Sequence, residues 1–314
     1  MSSLNDNESA MLETVNLFPD DFLVGMRLDK FLSDEREDMS RSYIQQLIDA
    51  GNISVNDKKA KASYKIRKGD KITLAIPEPE ELSIEPENIP LDIVYDDNDI
   101  VIINKPQGMV VHPAAGHYSG TLVNALMYHF GNELSGINGI MRPGIVHRID
   151  MNTSGLLVIC KNDMAHKSLS EQFSVHSITR EYTAIVYNSF SETEGTVDKP
   201  IGRSKNDRKK MAIVPDGRRA VTHYTVLRKL KNDFSLVQLR LETGRTHQIR
   251  VHMTSINHPL LGDDVYGPKK CPFNLAGQML HAGKLGFIHP STKEYIEFNS
   301  ELPEYFNKVL SRLE

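Results

Sequence analysis

The chain has 314 residues, 39% of them hydrophobic and 25% charged, and a net charge of −4 from 37 basic and 41 acidic side chains. That length suits about two domains of ~100–200 residues, and no stretch approaches the ~18 consecutive apolar residues of a membrane span. Two cysteines, Cys160 and Cys271, exclude a disulfide framework or a cysteine-rich zinc site; the polar start lacks the basic and apolar regions of a secretory signal, so a cytoplasmic protein is expected.

Residues 1–17 are polar and acidic without sustained periodicity, which predicts a flexible acidic tail over 1–21. Leu28, Phe31 and Leu32 then fall on one helical face, and Ile44, Leu47 and Ile48 repeat that spacing behind a cap at Ser40 or Ser42, with Gly51 as the stop. Ile53 and Val55 alternate before an Asn56-Asp57 turn, and Ile72, Leu74 and Ile76 alternate after Gly69-Asp70. These elements predict a small module over 22–76. Pro77, Pro79, Pro86 and Pro90 mark a Pro/Glu-rich linker over 77–90.

From 91 to 314 strand signals dominate. Ile100 to Ile103 and Leu156 to Cys160 are short apolar runs that suit buried strands. Glu181 to Tyr187 and Leu236 to Glu242 alternate. Helical spacing appears at Leu122, Ala125, Leu126 and His129 and again at Ile249, Met253 and Ile256. Strands outnumber helices without a strict β-α-β rhythm, so the class is α+β.

The charge is unevenly spread. Residues 1–25 carry five acids and residues 77–100 carry nine, with no Lys or Arg in either stretch. The module between them has 11 basic against 8 acidic residues, and 101–314 has 26 against 19. Both expected folded parts are therefore basic, the pattern that attracts phosphate. Arg41 and a run from Lys58, Lys59 and Lys61 to Lys71 concentrate that charge in the module, and Arg203 to Arg219 forms a second basic run.

Several common chemistries are missing: there is no phosphate-binding loop, G-x-G-x-x-G, H-E-x-x-H or paired C-x-x-C. His247 and His252 are five residues apart, which does not align them on one helical face. Three segments crowd charged groups among small turn residues: His147-Arg148-Ile149-Asp150-Met151-Asn152-Thr153-Ser154-Gly155; Thr179-Arg180-Glu181-Tyr182; and Glu242 to His252. The last joins a strand end to a helix start, where free N–H groups can meet an anion. Spacing alone leaves a structural ion-pair network and an active site equally open.

The segment HRIDMNTSGLLVICKN resembles the aspartate-bearing motif of the RluA family of RNA pseudouridine synthases. DNDIVIINKPQGMVVHPAAG, ITREYTAIVY, GTVDKPIG, AVTHYTVL, RLETGRTHQIRVHM and HPLLGDDVYG resemble further family segments in the expected order, from about Leu91 to Pro290. RLDKFLSDEREDMSRSYIQQLIDAGNISVNDKKAKASYKIRKGDKI resembles the alpha-L RNA-binding domain. The resemblance implies that domain followed by a catalytic domain on a mixed, largely antiparallel sheet with a central cleft. It implies pseudouridine formation, and the architecture resembles the RluD branch, which points to 23S ribosomal RNA in large-subunit precursors. Transfer RNA is the alternative substrate. A ribosome-assembly factor without turnover and a metal-dependent nuclease using Asp150 and nearby histidines are the rival functions.

The reaction breaks the N1–C1′ bond, rotates the uracil and joins C5 to C1′. No atom is lost, so neither cofactor nor metal is expected. Positive charge builds on the sugar, and a carboxylate stabilises or captures it. By the resemblance Asp150 is that carboxylate, whether it attacks C1′ or removes the 2′ proton. Arg250 matches the position that pairs with it, and Tyr182 matches the active-site tyrosine. Arg148 matches an arginine that fills the space left by a flipped base. His147 is expected to support the loop or touch phosphate and Arg245 to contact phosphate, while Asn152, Thr153 and Ser154 fix the turn through backbone bonds. A monomer is expected.

Overall fold

In the computed structural model of the chain, residues 11–36, 39, 41–77, 84–113, 118–137, 142–207 and 210–314 are described. They divide into two compact units between Leu82 and Ser83.

The N-terminal unit contains β1 (Met11–Leu17), α1 (Leu28–Glu35), α2 (Arg41–Ala50), β2 (Ile53–Val55), β3 (Lys58–Lys59) and β4 (Ile72–Pro77). Leu28, Phe31 and Leu32 of α1 and Ile44, Leu47 and Ile48 of α2 are buried with Ile53, Val55, Ile72 and Leu74 in one core. Gly51 adopts φ 85°, ending α2 as its sequence position predicts. Asn56 and Asp57 at φ 51° and 61° form the two-residue turn that joins β2 to β3. Ser40, one of two expected caps for α2, lies outside the described residues.

The expected tail is corrected from Met11 onward. β1 pairs antiparallel with β4, Val15 opposite Leu74 and Leu17 opposite Ile72. Val15 and Leu17 pack against the core of the unit. This short alternation at the end of a polar stretch becomes a strand because β4 offers it a hydrogen-bonding edge and an apolar face.

The second unit contains β5 (Ile93–Asp96), β6 (Ile100–Lys105), α3 (Leu122–His129), β7 (Ser154–Cys160), α4 (Asp163–Ser174), β8 (Thr179–Tyr187), β9 (Glu194–Asp198), β10 (Ile201–Arg203), β11 (Met211–Ile213), β12 (Val221–Leu230), β13 (Phe234–Leu241), α5 (Gln248–Ser255), β14 (Leu280–Ile288), β15 (Tyr295–Asn299) and α6 (Glu304–Leu313). Its main sheet has the order β5-β6-β7-β14-β8-β13-β12-β9, with β15 also on β14. Every pairing is antiparallel except β7 with β14, which is parallel and covers two positions, Ser154 opposite His281 and Gly155 opposite Ala282.

Burial explains the patterns in the sequence. β7 is covered on both faces: Leu157 and Ile159 join the core that includes α3 and α5, while Leu156, Val158 and Cys160 join α4. A strand buried twice reads as a continuous apolar run. In β13, Val237, Leu239 and Leu241 face the first of these cores, and Leu236 packs beside α6. Thr121 and Asn124 form a reciprocal capping box that starts α3.

The expected linker is corrected over its second half. Ile84 is buried in the core of the second unit. Asn124 Nδ2 donates to the Glu85 carbonyl at 2.9 Å, and the Glu87 carboxylate accepts the Gly120 N–H at 2.9 Å. The prolines prevent regular structure there, but one apolar side chain and the cap of α3 anchor the segment.

Candidate active site

The loop entering β7 carries Asp150 and is held from several sides. Its backbone turns through a Thr153 N–H bond to the Asp150 carbonyl at 3.0 Å. Gly155 has φ +114°, and a Cβ there would lie 2.2 Å from the Ala282 carbonyl oxygen, so the chain passes from this loop into the parallel pairing only with glycine. Lys105, fully buried at the end of β6, donates to the carbonyls of Pro106, Met109 and Met151 at 2.8, 2.9 and 3.0 Å. All three ammonium protons are used to fasten the segment beside Asp150.

The expectation that Asn152, Thr153 and Ser154 brace the turn by side-chain-to-backbone bonds is corrected at two positions, since Thr153 and Ser154 bond to other side chains. Ser154 Oγ donates to His281 Nδ1 at 2.9 Å and accepts from Tyr305 at 2.8 Å, and Thr153 Oγ1 accepts from Gln278 at 3.1 Å. The strand they enter is buried, so their hydroxyls face neighbouring strands rather than their own backbone.

Asp150 lies on the wall of a cavity of about 630 Å³, with Arg148, Arg180, Tyr182, Arg245, His247 and Arg250 also on its walls. The Arg250 Nη1 donates to Asp150 Oδ2 at 3.1 Å. Arg250 comes from the first turn of α5 and is itself clamped: its Nε and Nη2 donate to the two carboxylate oxygens of Asp263 at 2.7 and 2.8 Å. Its guanidinium lies over the Tyr266 ring at 5.1 Å. Burial works against the Arg250 charge, and Asp263 followed by Asp150 more than offsets it, so its pKa lies above the ordinary value. The carboxylate is thus met by a cation that is both fixed and permanently charged.

Tyr266 also orients His247. The Tyr266 hydroxyl accepts the Met211 N–H at 2.9 Å and shares a hydrogen bond with His247 Nδ1 at 2.8 Å. The other ring nitrogen, Nε2, lies 3.9 Å from Asp150 Oδ1. Burial lowers the His247 pKa against the pull of Asp150, so the ring is neutral near pH 7. Gln248 secures the loop ahead of α5, accepting from Arg245 N–H at 2.9 Å and Thr243 Oγ1 at 2.8 Å while donating to the Val221 carbonyl at 2.9 Å.

Tyr182, on β8, is buried with its ring in the core below the cavity. Burial raises its pKa against the pull of the Arg180 charge, so the phenol stays protonated. Arg148 is exposed and its Nη1 donates to His112 Nε2 at 3.4 Å. His112 is held neutral, its pKa pushed down to about 4 by burial and then by Arg148 and Arg142.

His147 takes the supporting role, the first of the two expected for it. Its Nε2 accepts the Val158 N–H at 3.0 Å, and its ring stacks on Phe173 with centroids 4.6 Å apart. Burial and then the nearby Arg180 push its pKa down to about 3, so it is a neutral brace and offers phosphate no charge.

The structure brings Asp150, Tyr182, Arg250, Arg148 and Arg245 to one cavity. Arg41, Lys58, Lys59 and Lys61 belong to the N-terminal unit, where the three lysines are exposed. Arg41 donates to Asp29 Oδ2 at 3.0 Å and keeps 59% of its side chain exposed. Sequence reasoning misses Asp263 and Tyr266, although the segment HPLLGDDVYG contains both. Among the described residues, the His and carboxylate groups spaced as a metal set are Asp97, Asp99 and His289, and none lines this cavity.

A sheet crossed by a cavity with one clamped carboxylate and a buried tyrosine defines the class of protein. Residues 99–255 match the family model described as RNA pseudouridylate synthase, and residues 26–72 match the S4 domain. The chain is 54% identical to an RNA pseudouridine synthase, YlyB, of Bacillus subtilis, covering 91% of this chain and 94% of that protein. It is 50% identical to ribosomal large subunit pseudouridine synthase D of Zymomonas mobilis, over 90% of this chain and 92% of that one. The solved structure of human RNA pseudouridylate synthase domain containing 1 superposes with a TM-score of 0.56 at 27% identity, covering 71% of this chain and 86% of that chain. The chain belongs to the RNA pseudouridylate synthase family, with an N-terminal S4 domain, and is an RNA isomerase.

Proposed function

We propose that this enzyme converts uridine to pseudouridine in large-subunit ribosomal RNA, with Asp150 acting at the ribose. The observation that carries the catalytic part is the Asp150–Arg250–Asp263 chain at the cavity wall. Arg250 holds Asp150 Oδ2, leaving the Oδ1 side toward His247 for the reaction. The ionised carboxylate stabilises positive charge at C1′ as the N1–C1′ bond breaks. Tyr182 offers the detached uracil an aromatic surface and its hydroxyl a place near C5. Arg148, exposed at the cavity mouth, occupies the position vacated by the flipped base.

The ribosomal assignment rests on the 41–50% identity to enzymes named ribosomal large subunit pseudouridine synthase D, from Zymomonas mobilis and Haemophilus influenzae. The S4 domain supplies affinity through its exposed lysines. The same reading has the enzyme work as a cytoplasmic monomer without cofactor or metal.

Pseudouridine mapping of total RNA from cells with the wild-type gene, a deletion and Asp150→Ala tests this. Ribosomal sites lost in both the deletion and the variant are the expected result. Sites lost only in the deletion would show that the protein acts by binding and that Asp150 is not catalytic.

A further inference from the structure

The mechanism above leaves one buried charge unused. Arg180, two residues before Tyr182 on β8, lines the same cavity and is 7% exposed. Its Nη2 donates to the Glu242 carbonyl at 3.3 Å, while its Nε is buried with no partner. No carboxylate among the described residues forms an ion pair with it. A buried guanidinium without a counter-ion carries an uncompensated desolvation penalty. Burial accordingly lowers its pKa, and the neighbouring Arg245 lowers it further.

The surroundings hold this charge in place without neutralising it. Arg180 lies over the Phe173 ring at 5.5 Å, and Phe173 in turn stacks on His147. Gly244 leaves room for the guanidinium: a Cβ there would sit 2.6 Å from Arg180 Nη1. Arg245, on the same wall, spends its Nε on the Arg219 carbonyl at 3.0 Å and, among the described residues, is likewise without a carboxylate in ion-pair range. His176 completes the group, with its Nδ1 buried and unpartnered. Arg180 and Arg245 both depress its pKa, after burial. Of the charges lining the cavity, Arg250 is matched by Asp150 and Asp263, whereas Arg180 and Arg245 face it unmatched.

We infer that Arg180, with Arg245 and His176 beside it, forms an anion subsite that binds a backbone phosphate flanking the target uridine. The inference rests on the functional reading above and deepens it. A phosphodiester supplies the missing counter-charge at the moment the nucleotide enters, so the cost of the buried cation is recovered only when RNA is correctly placed. A simple structural role would have given Arg180 a carboxylate partner, as it gives Arg250.

The test uses the full-length enzyme and an RNA oligonucleotide spanning the uridine that the mapping assigns. The RNA is made with phosphodiesters throughout, or with one neutral methylphosphonate on the 5′ or the 3′ side of that uridine. Wild-type enzyme is expected to lose about 10–100-fold in kcat/KM at one of the two positions, the worth of a charge-assisted hydrogen bond. Arg180→Met is expected to lose a similar factor on unmodified RNA and to be indifferent to the methylphosphonate. Arg180→Lys should restore part of the loss. Should Arg180→Met not fold, Gly244→Ala, which displaces the guanidinium tip, gives the same comparison. An equal methylphosphonate penalty in the folded variant and the wild type, or none in the wild type on either side, overturns the subsite. Failure of the wild type to modify the unsubstituted RNA overturns the functional reading, and the subsite with it.

Discussion

Asp150 is controlled by a residue it never touches. Asp263 is wholly buried, holds the Nε–Nη2 edge of the Arg250 guanidinium with both its oxygens, and accepts the Val265 and Tyr266 N–H groups at 3.0 Å each. Asp263→Asn keeps the shape but removes the charge, leaving Arg250 to swing or to over-neutralise Asp150. Breaking a buried pair in this way costs about 3–5 kcal/mol, so thermal unfolding should move to markedly lower temperature. At a temperature where the variant remains folded, kcat should fall with little change in KM, because RNA contacts are untouched. A larger change in KM than in kcat would remove Asp263 from the positioning role. Asp150 and Arg250 are readable from the sequence through the resemblance of the segments that carry them to family motifs. Asp263 is not, because a carboxylate thirteen positions away declares its partner only in three dimensions.

Within single elements, the start of α1 shows how a surface patch depends on a buried acid. Asp29 is 4% exposed and accepts from Arg27 Nε and Nη2 at 3.0 and 2.9 Å as well as from Arg41. The Arg27 hydrogen bond pulls its pKa down to about 2 against burial, with Arg41 adding to the pull. A carboxyl with a depressed folded value contributes stability that is complete above its unfolded value of about 4. That contribution is lost as pH falls through about 2. Acid titration of the full-length protein, followed at amides of α1 and α2, should show this loss, and Asp29→Asn should remove the pH dependence across that window. An unchanged acid limb in the variant would mean that the pair contributes nothing. Periodicity locates both helices and the strands β2 and β4 because their apolar faces are buried, as at Leu28 and Ile44. It misses β1, whose described inward apolar positions are Val15 and Leu17 and whose pairing depends on β4 some sixty residues later.

The whole molecule combines a binding unit, basic over residues 26–76, with a basic catalytic unit, and the net charge of −4 conceals this. Attraction to RNA should therefore depend on a few exposed lysines rather than on overall charge. Replacing Lys58, Lys59 and Lys61 with glutamine should reduce the slope of log affinity against log salt by about 0.7–0.9 for each phosphate that is no longer neutralised. Turnover at saturating RNA should remain. A slope equal to that of the wild type would place the RNA contacts elsewhere on the unit. The order of units is legible in the sequence because an acidic, proline-rich stretch separates two basic ones. The inner boundary is not, since Ile84 and the bonds of Glu85 and Glu87 to the start of α3 commit that stretch to the catalytic core.

The parallel join of β7 to β14 divides the catalytic machinery along a seam. Asp150 precedes β7 on one side, Tyr182 and Arg180 stand on β8 on the other, and the ladder crossing between them has two residue pairs. Alignment of the two half-sites is therefore delegated to side chains, above all the relay Tyr305–Ser154–His281. Ser154→Ala severs that relay at a cost of about 1–3 kcal/mol. The cores shared by the two half-sheets remain in place, so secondary structure should persist while catalysis suffers disproportionately, and rising temperature should widen the gap. Parallel losses of melting temperature and activity would assign the relay to packing alone. Asp150 and Tyr182 are then parts of one instrument whose calibration is set at a distance, by a C-terminal helix that stands apart from the cavity wall.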